Sequence, residues 1–141
     1  MKLTTKGRYA VMALADLAKF DSSDPVSLRD ISLRQGISLL YLEQIFYRLK
    51  KNNIVNSARG IKGGYTLIKH PSNLRLAEIF KAVDEKIKTV NCIKHSKKSC
   101  NGKSTKCITH NLWDELEFHI NTFFENKYLS DLINHNKENR I

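Results

Sequence analysis

Residues 28–51 read LRDISLRQGISLLYLEQIFYRLKK and decide the fold. The stretch predicts two short helices separated by a turn at Gly36, with Ser27 capping the first helix and Ser38 the second. Asp30 stands three residues after Ser27, which resembles a capping box. Two helices joined by a short turn that contains glycine are typical of a helix-turn-helix motif, in which the second helix is the recognition helix.

A glycine-rich segment follows this motif. Residues 54–58 read IVNSA and residues 65–68 read YTLI, and both have the β-branched and aromatic composition of strands. Between them lies RGIKGG, whose glycines permit a sharp turn. Two strands with a basic tip, over about 54–68, predict a wing. The fold class is therefore mainly α with a small two-stranded β wing, and residues 1–85 form the winged helix-turn-helix domain.

Three further helices are predicted from apolar residues at helical spacing. One begins at Thr4 or Thr5 and ends near Phe20, and another covers about 76–83. A long last helix, capped by Thr109, accounts for 110–134, and 135–141 form a flexible tail. The last helix carries a stripe of large apolar residues: Trp113, Leu116, Ile120, Phe123 and Phe124. A stripe of this size predicts that the helix pairs with its copy in a homodimer.

The charge of the chain points to a polyanionic partner. The formal net charge is +10, and residues 1–70 contain 12 Lys and Arg against 5 Asp and Glu. Residues 71–141 contain 12 against 9, so most of the surplus lies in the N-terminal half. Nucleic acid is the favoured partner and an anionic membrane surface the second choice.

The N-terminal apolar stretch does not predict a signal peptide or a membrane span. Residues 9–20 include Asp16 and Lys19, lack a small-residue cleavage site, and are fewer than the roughly 20 apolar residues that a span needs. We therefore expect a cytoplasmic protein without a membrane segment. The sequence contains no glycine-rich phosphate loop and no nucleophile–base pair in a supporting context, so we do not expect an enzyme.

The predicted recognition helix has two unlike faces. Leu42, Ile45, Phe46 and Leu49 share the inward face at helical spacing. The opposite side, which we call the recognition face, consists of Leu40, Glu43, Gln44, Tyr47 and Lys51. An amphipathic helix with a merely solvated polar face is the plain alternative, but the helix-turn-helix order and the outward Leu40 favour contact with DNA.

Each side chain of this region has a chemical counterpart on DNA. Gln44 can bond adenine, Glu43 can accept from cytosine N4, and Leu40 can contact a thymine methyl group. Basic residues near the end of the helix suit phosphates, and Arg59 suits a narrow minor groove. The predicted DNA-binding residues are Ser38, Leu40, Tyr41, Glu43, Gln44, Tyr47, Arg48, Lys50, Lys51 and Arg59. A winged helix used only for protein contacts is the alternative.

A lysine-rich loop over 86–109 contains every cysteine of the chain: Cys92, Cys100 and Cys107. In a reducing compartment, three clustered cysteines are better explained as metal ligands or as reduced thiols than as a disulfide framework. His110 completes a set of four ligands for zinc or for a 2Fe-2S cluster, with His95 as a rival fourth ligand. Zinc sites commonly begin with Cys-x2–4-Cys, so the longer gaps here favour the cluster.

Four segments carry a resemblance to a known family. They are LTTKGRYAVMALADLA at 3–18, DISLRQGISLLYLEQIFYRLKKNNIVNSARG at 30–60, GGYTL at 63–67 and CITHNLW at 107–113. From residue 1 to about 132 the chain resembles the winged-helix family of IscR-like iron-sulfur cluster transcription regulators. That family also includes the nitric oxide sensor NsrR and the cysteine metabolism regulator CymR.

The resemblance implies a homodimer built through the last helix and a 2Fe-2S cluster that is donated by an assembly scaffold. It implies that the cluster is held by Cys92, Cys100, Cys107 and His110. It also implies control of cluster-assembly genes, including the regulator's own gene, and a role for Glu43 in choosing between promoter classes. A zinc-stabilised repressor and a nitric oxide- or redox-responsive repressor are the alternatives, and a small electron carrier is a third.

This sequence departs from the family pattern at three places. Both gaps between cysteines are longer, Leu40 replaces a serine on the recognition face, and Ile61 replaces a proline at the wing tip. The operator sequence of the family therefore does not transfer to this chain.

Overall fold

The computed structural model describes residues 3–19, 24–88 and 107–138. The predicted mainly helical fold with a two-stranded wing is confirmed. In chain order the elements are α1 (Thr5–Lys19), α2 (Leu28–Gln35), α3 (Leu39–Lys51), β1 (Val55–Ala58), β2 (Gly64–Leu67), a 3-10 helix (Pro71–Asn73), α4 (Leu76–Ala82), α5 (His110–Glu125) and α6 (Leu129–Glu138).

The helix-turn-helix forms from α2 and α3 with the predicted caps. Ser27 Oγ accepts a hydrogen bond from the backbone N–H of Asp30, and Ser38 Oγ accepts one from Tyr41, each at 3.1 Å. Gly36 ends α2 with a φ of 67°, a left-handed conformation that favours glycine. These local bonds fix the turn that positions α3.

The wing is held to the body of the domain by a backbone bridge. Strands β1 and β2 pair antiparallel along their whole length. Tyr65 in β2 then exchanges two backbone hydrogen bonds with Val26, at 2.8 and 3.0 Å. A Cβ atom on Gly64 would stand 2.3 Å from the Val26 carbonyl oxygen, and the φ of Gly64 is 151°. Only glycine fits this close approach.

The hydrophobic core lies between α1, α2, α3, α4 and α6. Leu14, Phe46, Ile79 and Leu129 are completely buried there, one from each of four helices. The Phe46 ring also meets Tyr65 of the wing edge-on at a centroid distance of 4.9 Å. The core therefore joins the recognition helix to both the wing and the C-terminal part of the chain.

A buried ion pair fastens α2 to α1. Asp16 is only 2% exposed, and its carboxylate accepts from Arg34 Nη2 at 2.7 Å and from Arg34 Nε at 3.1 and 3.2 Å. Gln35 Nε2 donates a further bond at 2.7 Å. Hydrogen bonding to Asp16 raises the pKa of the Arg34 guanidinium. The acidic residue that argued against a membrane helix is thus a structural residue of the helix-turn-helix.

The start of α1 is fastened by a carboxylate from the segment after α4. Glu85 is 6% exposed and accepts hydrogen bonds from the Thr4 backbone N–H at 2.7 Å and from the Thr4 hydroxyl. A Cβ atom on Gly7 would stand 2.8 Å from Glu85 Cγ, so the glycine makes room for this side chain. A carboxylate at this position also interacts favourably with the partial positive charge at the N-terminus of α1.

The prediction of one long last helix is wrong, because the region 110–134 contains two helices. The chain leaves α5 after Glu125 and pairs with the segment before α4: Leu76 N–H donates to Lys127 O and Leu129 N–H donates to Leu74 O, both at 2.9 Å. Helix α6 then packs against α1 and extends to Glu138, so helix occupies the first residues of the predicted flexible tail.

Candidate nucleic-acid interface and metal centre

The recognition face is exposed as the sequence predicts. Leu40 and Tyr47 are 67% and 66% exposed, and Glu43, Gln44 and Lys51 are exposed beside them. The inward side of α3 is buried: Leu42, Ile45, Phe46 and Leu49. Two large exposed apolar groups among polar ones leave a surface that can contact base edges and thymine methyl groups.

Sequence reasoning missed Lys6, which belongs to the same surface. A shallow groove of about 470 Å³ runs between the first turn of α1 and the outer side of α3. Lys6 lines it together with Leu40, Glu43, Gln44 and Tyr47. Its ammonium adds a positive charge to the groove that Glu43 also lines. The Lys6-Gly7-Arg8 sequence at the start of α1 was the signal that could have indicated it.

Two of the predicted phosphate contacts, and one other predicted DNA-binding residue, have partners within the chain. Arg48 Nη1 donates to the Val83 carbonyl oxygen at 3.4 Å, and Lys50 Nζ donates to Ser57 Oγ at 2.6 Å. Both residues remain exposed at the surface. Tyr41 is half-buried and packs edge-on against the Tyr9 ring at a centroid distance of 5.7 Å. Its ring thus supports the start of α3, which leaves less of it to face a ligand.

The wing tip presents an apolar side chain between two cations. A tight turn closes it, with Gly63 N–H donating to Gly60 O at 2.9 Å. Arg59 and Lys62 are exposed, and Ile61 between them projects fully into solvent. This arrangement places positive charge at the tip, where a wing meets the sugar-phosphate backbone or a minor groove.

The structure places two of the four predicted metal ligands on one turn of the backbone. Cys107 is half-buried, and the His110 backbone N–H donates to the Cys107 carbonyl oxygen at 3.0 Å, so both residues lie on the turn that starts α5. The His110 side chain is 14% exposed, with Nε2 at 3.1 Å from Asp114 Oδ2. The other predicted ligands lie outside the described residues: Cys92, Cys100 and the rival ligand His95. Within the described residues, no group of three potential metal ligands occurs.

This turn has the chemistry that a metal ligand pair needs. A carboxylate hydrogen-bonded to one ring nitrogen of a histidine fixes its orientation and tautomer, as in many metal sites. Thr109 occupies the cap position of α5, but its side chain makes no capping bond to the helix backbone. Thr109 therefore lies at the predicted cap position without a capping bond, and its hydroxyl has other partners: Trp113 Nε1 at 3.1 Å and Cys107 Sγ at 3.6 Å.

The apolar stripe predicted on the last helix divides into two sets. Phe124 is half-buried and meets Phe80 of α4 edge-on at a centroid distance of 4.7 Å. Trp113 and Ile120 are also half-buried. Leu116 and Phe123 are 39% and 54% exposed. Sequence reasoning missed Leu112, which is 56% exposed and lies one helical turn before Leu116.

Among the described residues, no helix has both the length and the apolar character required to cross a bilayer. The predicted first helix is instead a core helix of the domain, with Ala10, Ala13, Leu14 and Leu17 buried.

Comparison with known proteins agrees with this architecture. The family model of Rrf2, described as an iron-dependent transcriptional regulator, matches residues 3–135. An Escherichia coli protein named HTH-type transcriptional regulator IscR is 48% identical over 134 residues, which cover 95% of this chain and 81% of that protein.

Solved structures show the same fold. The structure of T. potens IscR has a TM-score of 0.80 and 30% identity, and the match covers all of this chain and 92% of that one. The global cysteine regulator CymR of B. subtilis has a TM-score of 0.78 and 27% identity over 96% of this chain and 98% of its own. The chain therefore belongs to the Rrf2 family of winged-helix transcription regulators, which are not enzymes.

Proposed function

We propose that this protein senses the iron-sulfur cluster status of the cell and controls the transcription of cluster-assembly genes, including its own. The observation that carries the proposal is the turn at the start of α5, where Cys107 and His110 lie together. Their nearness, in a family described as iron-dependent, supports a metal centre at this end of the loop.

The described part of the ligand set fits a cluster. Cys92, Cys100, Cys107 and His110 would hold a 2Fe-2S cluster, which supplies a one-electron redox couple when bound. Two ferric ions, two sulfides and three thiolates sum to a charge of about −1, which becomes about −2 on reduction. His110 is the first residue of α5, so the positive N-terminus of this helix lies beside the site. The lysines of the loop add further positive charge.

The recognition face carries the DNA-binding half of the proposal. Gln44 is placed to bond adenine and Glu43 to accept from a cytosine amino group in the major groove. Lys6, Arg59 and Lys62 flank this surface with positive charge. Base contacts thus come from α3, and phosphate contacts come from the basic residues at its end, from α1 and from the wing.

Glu43 is the residue that links specificity to the cluster. A carboxylate pressed against DNA without a cytosine amino group as partner is desolvated and unpaired, so it rejects sites that lack that donor. If the cluster draws Glu43 away or pairs it, the protein with cluster binds a second class of operators.

A homodimer completes the proposal, since one recognition helix reads only half of a palindromic site. The exposed stripe of α5, formed by Leu112, Leu116 and Phe123, is the surface that we propose for pairing with a second copy. We place the dimer in the cytoplasm, where an iron-sulfur assembly scaffold would donate the cluster.

Anaerobic isolation tests the metal centre first. The wild-type protein should be reddish brown with visible absorption, and Cys92→Ala, Cys100→Ala and Cys107→Ala should each lose the colour while circular dichroism and size-exclusion chromatography still report a folded dimer. A colourless wild-type protein containing zinc would favour a zinc-stabilised repressor instead. Collapse of the fold in any one cysteine variant would make the site structural.

Selection of operators from random DNA tests the link to specificity. Wild-type and Glu43→Ala proteins are each used with and without cluster, and Glu115→Ala, which removes an exposed carboxylate from α5, serves as the control. We expect wild-type protein without cluster to reject one operator class and Glu43→Ala protein to bind both. Identical preferences in all samples would contradict a role for Glu43.

A further inference from the structure

The hydroxyl of Thr109 connects the only tryptophan of the chain to a proposed cluster ligand. Thr109 Oγ1 lies 3.1 Å from Trp113 Nε1 and 3.6 Å from Cys107 Sγ. An indole nitrogen can only donate a hydrogen bond, so the Thr109 oxygen must accept from Trp113. The hydroxyl hydrogen therefore remains available for the sulfur.

We propose that Thr109, oriented by Trp113, donates a hydrogen bond to the Cys107 sulfur and thereby sets the reduction potential of the cluster. The inference rests on the proposed function, because it takes Cys107 as a ligand. A coordinating cysteine is a thiolate and has no hydrogen to donate, so only the O–H to S arrangement is available once the metal is bound. Thr109 thus acts on the cluster through the Cys107 sulfur and does not bind the metal itself.

The direction of the effect follows from the charge of the cluster. Reduction adds one negative charge, part of which resides on the sulfur ligands, and a hydrogen bond to such a sulfur becomes stronger as the sulfur becomes more negative. The donor stabilises the reduced state more than the oxidised state and raises the potential. Removing the hydroxyl should lower it.

The position of Thr109 supports this use of its hydroxyl. A threonine at the cap of a helix normally bonds the backbone of the first turn, in an extended conformation. Thr109 has φ −98° and ψ 5° and makes no such bond. Its side chain points to the Cys107 sulfur and the Trp113 indole, and it does not stabilise the first turn of α5 by capping. Trp113 is half-buried on the next turn of α5, which keeps the indole in place.

Three substitutions separate the hydroxyl from the shape of the side chain. Thr109→Val removes the hydroxyl and keeps the volume, and Thr109→Ser keeps the hydroxyl. Thr122→Val makes the same change on α5 away from the cysteine turn and is the matched control. Redox titration of the anaerobically reconstituted proteins should show about a tenfold shift of the reduction equilibrium towards the oxidised form in Thr109→Val. This corresponds to a midpoint about 59 mV lower for one electron. Thr109→Ser and Thr122→Val should keep the wild-type potential.

A second readout needs no cluster. Because the chain has a single tryptophan, a nitrogen–proton correlation spectrum of the metal-free protein contains one indole signal. That signal should move in Thr109→Val and exchange faster with solvent, and it should return to its wild-type position in Thr109→Ser.

The outcomes distinguish the two levels of the proposal. A coloured wild-type protein whose potential is unchanged in Thr109→Val would overturn the role of Thr109 and leave the proposed function intact. An unchanged indole signal in Thr109→Val would overturn the orientation by Trp113. A colourless wild-type protein would overturn the proposed function and this inference together.

Discussion

Replacing Arg34 with alanine should destabilise the protein far more than breaking a surface ion pair of equal length. Asp16 is 2% exposed, and within the described part of the chain Arg34→Ala removes three of its four hydrogen bonds and leaves Gln35 as the remaining donor. Removing one partner of a buried pair costs about 3–5 kcal/mol. Because Arg34 itself is 38% exposed and Gln35 keeps its bond, we expect about 2–3 kcal/mol.

The matched comparison is the pair between Lys69 and Glu78. Its N–O distance is 2.6 Å, against 2.7 Å for Arg34 and Asp16, but both side chains are over a third exposed. Lys69→Ala should therefore cost less than about 1 kcal/mol. Because the N–O distance hardly differs between the two ion pairs, the difference between the two losses of stability reports the effect of burial.

Urea unfolding of the metal-free proteins at one protein concentration measures the difference. For an m value of about 1.5–2 kcal/mol/M, the Arg34→Ala midpoint should fall by about 1–2 M with an unchanged slope. Adding Asp16→Asn to Arg34→Ala removes the charge left behind and should recover part of the loss. Equal losses in Arg34→Ala and Lys69→Ala, or no recovery in the double variant, would refute the reasoning from burial.

Four further changes test the cap of α3, the contact between the wing and Val26, the loss of stability at low pH and the positive charge of the DNA interface. Ser38→Ala removes the hydroxyl that caps α3 and should cost about 1 kcal/mol in urea unfolding, while Ser38→Gly should cost only a few tenths. Gly64→Ala places a Cβ atom against Val26 O and should weaken operator binding and lower the thermal midpoint; wild-type values for both would disprove the close approach. Burial raises the pKa of Glu78, but hydrogen bonds led by that from Lys69 lower it more, so its net pKa lies below the usual value. Its stabilising effect is therefore present above the usual pKa and lost as the pH falls through the lower folded value, and Lys69→Ala should flatten this part of the pH–stability curve. Operator affinity should fall steeply between about 50 and 200 mM salt as counterions are released, whereas a flat response would exclude the basic surface as the DNA interface.

Local signals were enough to predict the helix-turn-helix and the wing. Ser27, Gly36 and Ser38 act within a few residues of themselves, and the structure has each of them in its predicted role. The apolar spacing of α3 also gave the correct inward face, and this determined the recognition face. These elements depend on interactions between residues that are close together in the sequence.

Long-range contacts account for what the sequence did not predict. The break between α5 and α6 results from backbone pairing of Lys127 and Leu129 with residues more than 50 positions earlier, for which no local pattern exists. Lys6 reaches the recognition face only because α1 packs against α3. Threonine is a common residue at helix caps, so the sequence around Thr109 predicted a capping bond. Only the geometry shows that its hydroxyl faces a sulfur and an indole.

The burial of Leu129 means that the chain does not divide into an autonomous DNA-binding half and a separate C-terminal half. Leu129 is completely buried in a core that also contains Leu14 of α1, about 115 positions earlier. A nascent chain that has emerged only as far as residue 85 lacks a piece of its own core and exposes the surface that α6 covers. The DNA-binding part therefore reaches its full stability only when almost the whole chain has been synthesised, and truncation before α6 should yield a less stable protein rather than a minimal binding domain.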